Sequence, residues 1–497
     1  MIISNLKTGK ILLVIFKIFF VGLILQFFLQ TFVTFELWRS NLFWKIVWSR
    51  KEIFVVAWAI FLLYVFFKKI NFKKIKWFKA WLTAIRSEIT NRRYELKLNK
   101  MPIISFIIIF LITFVVTFII SLVIKKVWMW NYILSAKYNL LWFFIFILSF
   151  VISWLFLKVE DFKIVNRYNK LFKIALVWAF FWWIMVWLIP NFLKFFGYNQ
   201  FNYEWTIASA PPAAYYTMIS QWYVRNQFLF ERPINFGFFL IALWPVFFFS
   251  MLKWKSKKEL RGRSIFYGLI VISTLSRAAI WVWLGVTVLM ILLMYFNSIK
   301  KIFWKLGIPV LILLIWVGYF YKPLIIRQHS NVWHTKLLTE WLWIIAKNPI
   351  WGRWAWYAWP ASHQICYKNE SNPICQQIKE INSKYEIGTI GFNPENQYIQ
   401  IWIEYGIFGF IWWIIMFVML HLIWYKARID EQKKNFSKHI RVHSWIIIWF
   451  ALGLLGLAIE WLVLHSFVDR MIVYPFMAMF GLVYALYYKE TNEREVK

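Results

Sequence analysis

The chain has 497 residues, of which 62% are hydrophobic and only 16% are charged, and its net charge is +35. This composition excludes an ordinary soluble domain, because the polar residues are too few to cover a globule of this size. It does not indicate a nucleic-acid partner either, because Lys and Arg lie in short clusters between apolar runs rather than in one basic domain.

The apolar runs predict an all-α fold: a polytopic membrane helical bundle of about 12 transmembrane helices with one large extracytoplasmic loop region. Lipid cannot hydrogen-bond a backbone, so each run must form a helix of roughly 20 residues. In chain order the predicted spans lie at about 11–36, 53–67, 102–124, 138–157, 173–195, 235–252, 265–297 (two short helices), 306–321, 406–424, 445–467 and 471–488. We divide the chain into N-terminal spans (1–200), a core (201–430), and C-terminal spans with a cytoplasmic tail (431–497).

Basic clusters predict the orientation of these spans. The segment from Lys68 to Lys100 carries eleven Lys or Arg residues, a density typical of cytoplasmic loops. We therefore expect a protein of the cytoplasmic (inner) membrane with both termini in the cytoplasm. The loop at 322–400, which is the largest segment outside the membrane, then lies on the outer side.

Residues 265–297 are continuously apolar, which is too long for one ordinary span, and basic residues flank both ends at Arg263 and Lys300. Both ends are therefore expected in the cytoplasm. A hairpin of two short helices satisfies this, and its tip near Ser273 carries Arg277 into the membrane or to its outer edge.

Three arginines are candidates for binding a lipid diphosphate. Arg277 costs at least ~2.5 kcal/mol in an apolar hairpin, so it must be paired or face a wet cavity, and its guanidinium suits a diphosphate. Arg225 and Arg232 stand where the chain re-enters lipid, at headgroup level. The alternatives are a structural Arg277 that snorkels or pairs with Glu460, and plain interfacial anchoring by the other two.

The outer loop supplies the remaining candidates for chemistry. Arg327 and Arg353 could neutralise a diphosphate leaving group while a His or a carboxylate removes the proton of an acceptor hydroxyl; an exposed His363 could equally be merely solvated. The His and Cys spacing does not fit a metal site, and no nucleotide or dinucleotide motif is present, so we predict no metal and no cofactor. Cys366 and Cys375 can form a disulfide if the loop faces an oxidising compartment.

Several motifs between about residues 220 and 480 resemble the O-antigen ligase and polymerase superfamily of multispanning glycosyltransferases. Arg225 precedes a Pro-Asn-type re-entry before a span, and Ser276-Arg277-Ala278 is similar to the family's break in a short helical pair. His334 precedes the turn Asn348-Pro349-Ile350-Trp351-Gly352. The most specific match runs from Glu395 to Gly409 and resembles His-Asn-x-Tyr-Leu-x-x-x-x-Glu-x-Gly-x-x-Gly.

The resemblance implies a metal-independent enzyme that binds undecaprenyl-diphosphate-linked glycan and transfers it to a glycan, lipid or protein acceptor. Glu395 stands where many members carry the catalytic His, so proton abstraction is assigned to Glu395, or to His334 or His363. The substrate-binding residues implied by the motifs and the basic positions are Arg225, Arg232, Arg277, Arg327, Arg353, Asn396, Tyr398 and Glu404. Two other functions remain open: a flippase or transporter of lipid-linked sugars, whose charges would be spread through the bundle, and a structural partner in an envelope assembly.

Tryptophan is unusually frequent, at 36 residues against only 17 glycines. In the stretch from Trp351 to Pro360, indoles stand where a polar loop needs turn residues, and the family pattern has glycine there. We therefore hypothesise that many of these codons are opal codons read as glycine in the source organism. The alternative is an aromatic belt, but belts lie at helix ends and these Trp residues are scattered.

Overall fold

The computed structural model describes residues 102–157, 163–189, 192, 199–202, 214–218, 223–228, 230, 233–252, 257–290, 328–353, 355–358, 361–368, 371–384, 396–432, 438–460 and 470–495. Three predicted spans (11–36, 53–67 and 306–321) lie outside these residues, as does the basic segment from Lys68 to Lys100. The count of about 12 helices and the boundaries at 200 and 430 therefore stay predictions.

Almost all described elements are helices, as the composition predicts. The helices before the hairpin are α1 (Pro102–Phe118), continued by a π-helix (Ile119–Ile124), α2 (Met129–Asn139), α3 (Leu141–Phe156), α4 (Lys163–Leu188) and α5 (Pro233–Leu252). The later helices are α6 (Lys257–Ser273), α7 (Arg277–Met290), α8 (Gln328–Lys347), α9 (Ala361–Lys368), α10 (Pro373–Lys384), α11 (Gln397–Gln432), α12 (Lys438–Glu460) and α13 (Arg470–Glu495).

Three described helical segments are long and apolar enough to cross a membrane: Ser105–Ile124, Gln397–Leu422 and Ile472–Lys489. A fourth is the pair α2 and α3, which is bent by 66° at Leu140. Shorter apolar helices accompany them at Lys173–Leu188, Pro233–Phe248, Gly262–Ser273, Arg277–Met290 and Ile446–Ile459. Helices of this length and composition are those of a membrane protein.

A small three-stranded sheet, which the sequence did not predict, precedes α5. Strands β1 (Asn199–Asn202) and β2 (Ala214–Met218) are parallel, and β3 (Tyr223–Val224) pairs antiparallel with β2. Its last strand ends directly before Arg225. The sheet thus fixes the chain on the approach to one of the predicted diphosphate-binding residues.

The core forms where helices approach closely. α3 packs along α13, α5 along α12, and α11 against both α1 and α12. The α5–α12 crossing depends on Gly453, where a Cβ atom would overlap the carbonyl oxygen of Ala242. Small residues allow such contact between backbones in membrane helices, where packing rather than the hydrophobic effect holds helices together.

Helices α6 and α7 form a hairpin, with the break at residues 274–276. A Cβ atom on Gly268 of α6 would lie 2.8 Å from the Trp283 ring of α7, so the two arms run side by side. Trp244 of α5 holds both arms: its ring lies 4.5 Å from that of Tyr267, and its indole nitrogen donates to the Thr287 hydroxyl (2.9 Å).

Helix α11 begins at Gln397, earlier than the predicted span at 406–424, and is interrupted at Gly406 (φ 68°, ψ −172°). The Asn396 side chain caps its start by accepting a hydrogen bond from the Ile399 amide (3.0 Å). A cap of this kind satisfies an amide at the helix start that has no partner within the helix. The interruption at Gly406 is where the preceding loop docks.

Candidate functional site

The tip of the α6–α7 hairpin is joined to the segment that follows β3. The Arg225 guanidinium donates from Nε to the Thr274 carbonyl oxygen (2.8 Å), and Arg225 is 4% exposed. The next residue, Asn226, donates from its backbone amide to the Ser273 carbonyl (3.0 Å) and from its side chain to the Ser273 hydroxyl (2.9 Å). The break in the hairpin therefore holds Arg225 in a fixed orientation.

Arg277 is the first residue of α7 and is half-buried, two positions after Leu275, which has a positive φ of 47°. Its positive charge interacts with that of Arg225. Two guanidinium groups at the hairpin tip are therefore close enough for their charges to act on one another. The alternative partner Glu460 has a side chain outside the described residues.

A second junction fixes the loop after α8 onto α11. The Arg353 amide donates to the Ile403 carbonyl (2.6 Å), and the Ile407 amide donates to the Pro349 carbonyl (3.0 Å). Gly352 (φ 69°) and Gly406 pack backbone to backbone, so that a Cβ on Gly352 would lie 2.5 Å from the Gly406 nitrogen. Two motifs that are far apart in the sequence are therefore in contact here: the Asn-Pro-Ile-Trp-Gly turn and the Glu-x-Gly motif.

Glu404 is the centre of a buried polar cluster at this junction and is only 1% exposed. Its Oε2 accepts hydrogen bonds from the Ser135 hydroxyl (2.5 Å) and from Asn139 Nδ2 (2.7 Å). Its Oε1 accepts one from the Ala358 amide (3.1 Å), and Tyr405 lies 2.6 Å from Ser135 Oγ. One carboxylate therefore ties α2, α11 and the loop together.

Side-chain amides extend the cluster towards the start of α11. Asn139 Oδ1 accepts hydrogen bonds from Nε2 of Gln397 (3.1 Å) and of Gln400 (3.0 Å). The Oε1 atoms of these two glutamines are buried and have no hydrogen-bond partner in the described part of the chain. Tyr398, between them, donates to the Ala458 carbonyl of α12 (3.0 Å). Hydrogen bonds to α2, to α12 and to the loop thus fix the motif from Asn396 to Glu404.

Arg353 lies beside Lys125, which follows the π-helix at the end of α1. Burial, and after it the positive charge of Arg353, lowers the pKa of Lys125. Burial raises the pKa of Tyr357 to about 12. The positive charge of Arg353 lowers this pKa, and the negative charge of Glu340 raises it further. This region is therefore rich in positive charge and partly withdrawn from water.

A disulfide between Cys366 and Cys375, whose Cα atoms are 5.4 Å apart, joins helices α9 and α10. Both cysteines are buried in a small apolar cluster with Tyr357 and Trp356 of the loop and with Val127, which lies just beyond α1. The Asn372 side chain caps α10 by accepting from the Ile374 amide (2.9 Å). The cluster anchors the loop residues beyond Arg353.

The structure brings several predicted residues together and leaves others untested. Arg225 and Arg277 lie at the hairpin tip, where their charges act on one another, whereas Arg353, Asn396, Tyr398 and Glu404 lie near the α11 junction. His334 lies in α8 and His363 in α9, with side chains outside the description, and Arg232, Arg327 and Glu395 lie outside the described residues altogether. Among the described residues there is no group of three or more His, Cys, Asp or Glu that could hold a metal ion.

Sequence reasoning did not identify Ser135, Asn139 or Lys125. A signal for the first two was available, because a Ser and an Asn four residues apart at the border of an apolar run lie on one face of a helix. Lys125 gave no such signal, since lysines at the end of a span are common anchors.

A family model described as O-antigen ligase matches residues 264–414. The matched region contains the α6–α7 hairpin, the loop with its disulfide, and α11 through the break at Gly406. A comparison with curated proteins finds no match.

Proposed function

We propose, from the premise that this chain belongs to the O-antigen ligase and polymerase superfamily through residues 264–414, that it ligates or polymerises undecaprenyl-diphosphate-linked glycan at the outer face of the cytoplasmic membrane. Membership implies a membrane glycosyltransferase of the ligase or polymerase type, with lipid-linked glycan as its class of substrate. The carrier, the membrane, the multi-pass topology and the independence from metal are parts of the proposal.

The main observation behind the proposal is that two cationic side chains, Arg225 and Arg277, lie together at the hairpin tip. Arg225 is held there by Thr274, and its positive charge acts on that of the partly buried Arg277. A diphosphate carries more than one negative charge and accepts several hydrogen bonds, so it can neutralise both guanidinium groups at once. Apolar walls strengthen that attraction compared with water.

The orientation is supported by the two ends of α1. Its N-terminus follows the basic segment from Lys68 to Lys100, which the positive-inside rule assigns to the cytoplasm. Its far end reaches Val127, which packs with Tyr357 of the loop. The loop therefore packs near the end of α1 that is farther from the basic segment in sequence. A disulfide in the loop fits the same assignment, because such bonds persist in oxidising compartments.

In the proposed reaction the hydroxyl oxygen of the acceptor attacks the anomeric carbon of the donor sugar. The new bond joins that oxygen to the carbon, and the bond between the carbon and the diphosphate oxygen breaks. The leaving lipid diphosphate keeps the electron pair, and Arg225 and Arg277 stabilise its charge. The hydroxyl proton passes to Glu395, His334 or His363 acting as the base.

Other predicted residues have supporting parts in the proposal. Arg232 and Arg327 add positive charge along the approach of the carrier, and Asn396 and Tyr398 border the substrate at the start of α11. Glu404 is a positioning residue, because both of its oxygens already accept hydrogen bonds from the protein. Through the Ala358 amide it holds the loop that carries Arg353.

The test is transfer of a lipid-linked glycan by the purified full-length protein in lipid nanodiscs. Arg277→Ala should lower kcat/KM at least about 100-fold, the usual loss when one preorganised donor to a developing anion is removed. Arg277→Lys should recover only part, because an ammonium lacks the planar fork. The matched control is Arg263→Ala, which removes a guanidinium from the other arm of the hairpin, α6, away from the tip.

Two results would reject the proposal. Retained transfer by Arg277→Ala with unchanged kcat/KM would remove the diphosphate assignment. Movement of lipid-linked sugar across a vesicle membrane without any transfer by the wild-type protein would favour the flippase instead. A structural partner would show neither activity.

A further inference from the structure

Lys125 and Arg353 come from distant parts of the chain, and the fold brings their charges together. Lys125 follows the end of the span at Ser105–Ile124, whereas Arg353 follows the glycine turn that docks on α11. Two residues beyond Lys125, Val127 is buried in the same apolar cluster as Tyr357, four residues beyond Arg353. The juxtaposition is therefore built into the packing of the loop on α1.

The fold fixes both residues through their backbones. The Lys125 amide donates to the Ile120 carbonyl (3.0 Å), which ends the π-helix, and the Arg353 amide donates to the Ile403 carbonyl (2.6 Å). The backbone is therefore fixed at both points, which keeps the two residues in the same region of the fold. Their mutual repulsion is thus a feature of the folded protein.

The Arg353 guanidinium has one buried nitrogen, Nε, from which no group accepts a hydrogen bond in the described part of the chain. A buried guanidinium nitrogen without a partner costs free energy, and so do two like charges held close together. An anion bound between the two cations would remove both costs.

We propose that Lys125 and Arg353 form a second anion-binding site, separate from the Arg225 and Arg277 pair, which takes a phosphate-type group at the outer membrane surface. An ammonium and a guanidinium together suit a group with several acceptor oxygens. The position at the end of a span puts the site at the level of lipid headgroups. The phosphate can belong to a soluble or glycan-borne group, or to the headgroup of an anionic lipid.

The experiment measures binding of inorganic phosphate to the full-length protein in phosphatidylcholine nanodiscs at low salt, where screening is weak. All variants carry Arg277→Ala, so that the hairpin-tip site does not contribute. In this background Lys125→Gln and Arg353→Gln should each weaken phosphate binding about tenfold, as expected for the loss of one charge-assisted contact. The matched control is Lys126→Gln, which removes the same charge from the exposed neighbour and should leave the affinity within about twofold.

A second arm identifies the source of the phosphate. Nanodiscs that contain phosphatidylglycerol should weaken the apparent phosphate affinity if a lipid headgroup occupies the site, and should leave it unchanged if the ligand is not a lipid. Absence of phosphate binding in phosphatidylcholine nanodiscs, or equal affinities for Lys125→Gln and Lys126→Gln, would overturn the proposal. The readout does not depend on glycan transfer, so it can fail or succeed independently of the proposed function.

Discussion

Replacing Glu404 should lower the free energy of unfolding, and the loss should grow with the number of hydrogen-bond donors that lose their acceptor. Glu404→Gln retains one oxygen, so either Ala358 or the pair Ser135 and Asn139 faces an NH2 group. A buried donor that loses its acceptor costs about 1–3 kcal/mol in the free energy of unfolding. Glu404→Ala leaves all three donors without an acceptor, at about 1–3 kcal/mol each, and opens a cavity as well.

The control for this series is Tyr405→Phe, which removes the contact between the phenol and Ser135 Oγ but leaves every hydrogen bond to Glu404 in place. It should cost only about 1 kcal/mol. Equilibrium unfolding in mixed detergent micelles measures all three variants, and hydrogen exchange of the Ala358 amide reports whether the loop is released in Glu404→Ala. Equal unfolding free energies for Glu404→Ala and Tyr405→Phe, with unchanged exchange at Ala358, would refute the view that this carboxylate holds the loop.

Two further predictions concern glycine and tryptophan. Gly406→Ala should lower the unfolding free energy by more than the strain of its positive φ alone, which is about 1–3 kcal/mol. The reason is that a Cβ at this position would also overlap the Ile350 carbonyl. The control is Gly285→Ala, where a Cβ meets nothing within 4 Å; it should be neutral or slightly stabilising in the same assay. Mass spectrometry of the protein from its natural source should find glycine at many encoded Trp positions, including 354 and 356. The buried indole nitrogens of Trp183, Trp283 and Trp341 have no hydrogen-bond partner in the described part of the chain, although buried indoles usually find one. Peptides with Trp at 354 and 356 would end the codon hypothesis.

The break near Arg277 illustrates how much of the site was predictable. An apolar run that is too long for one span, with basic residues at both ends, predicts a hairpin from sequence, and the structure has helical arms on either side of residues 274–276. The pattern could not show that Asn226 and Arg225 bind the backbone and side chains of this break. The family motifs likewise predict that Glu404 binds substrate, but they could not show that its two oxygens accept hydrogen bonds from Ser135, Asn139 and Ala358.

The sequence by itself determined which stretches are apolar enough to enter lipid, which segment has the charge expected of a cytoplasmic loop, and which family the core resembles, because each of these depends on local composition or on a short motif. Lipid acts on every apolar run separately, so hydropathy can be read one segment at a time. Only the tertiary structure decided that Ser135 donates to Glu404, 269 positions away, and that the charge of Arg353 acts on Lys125. Such pairs arise from the packing of whole helices against one another, and no local pattern in the chain encodes which faces meet.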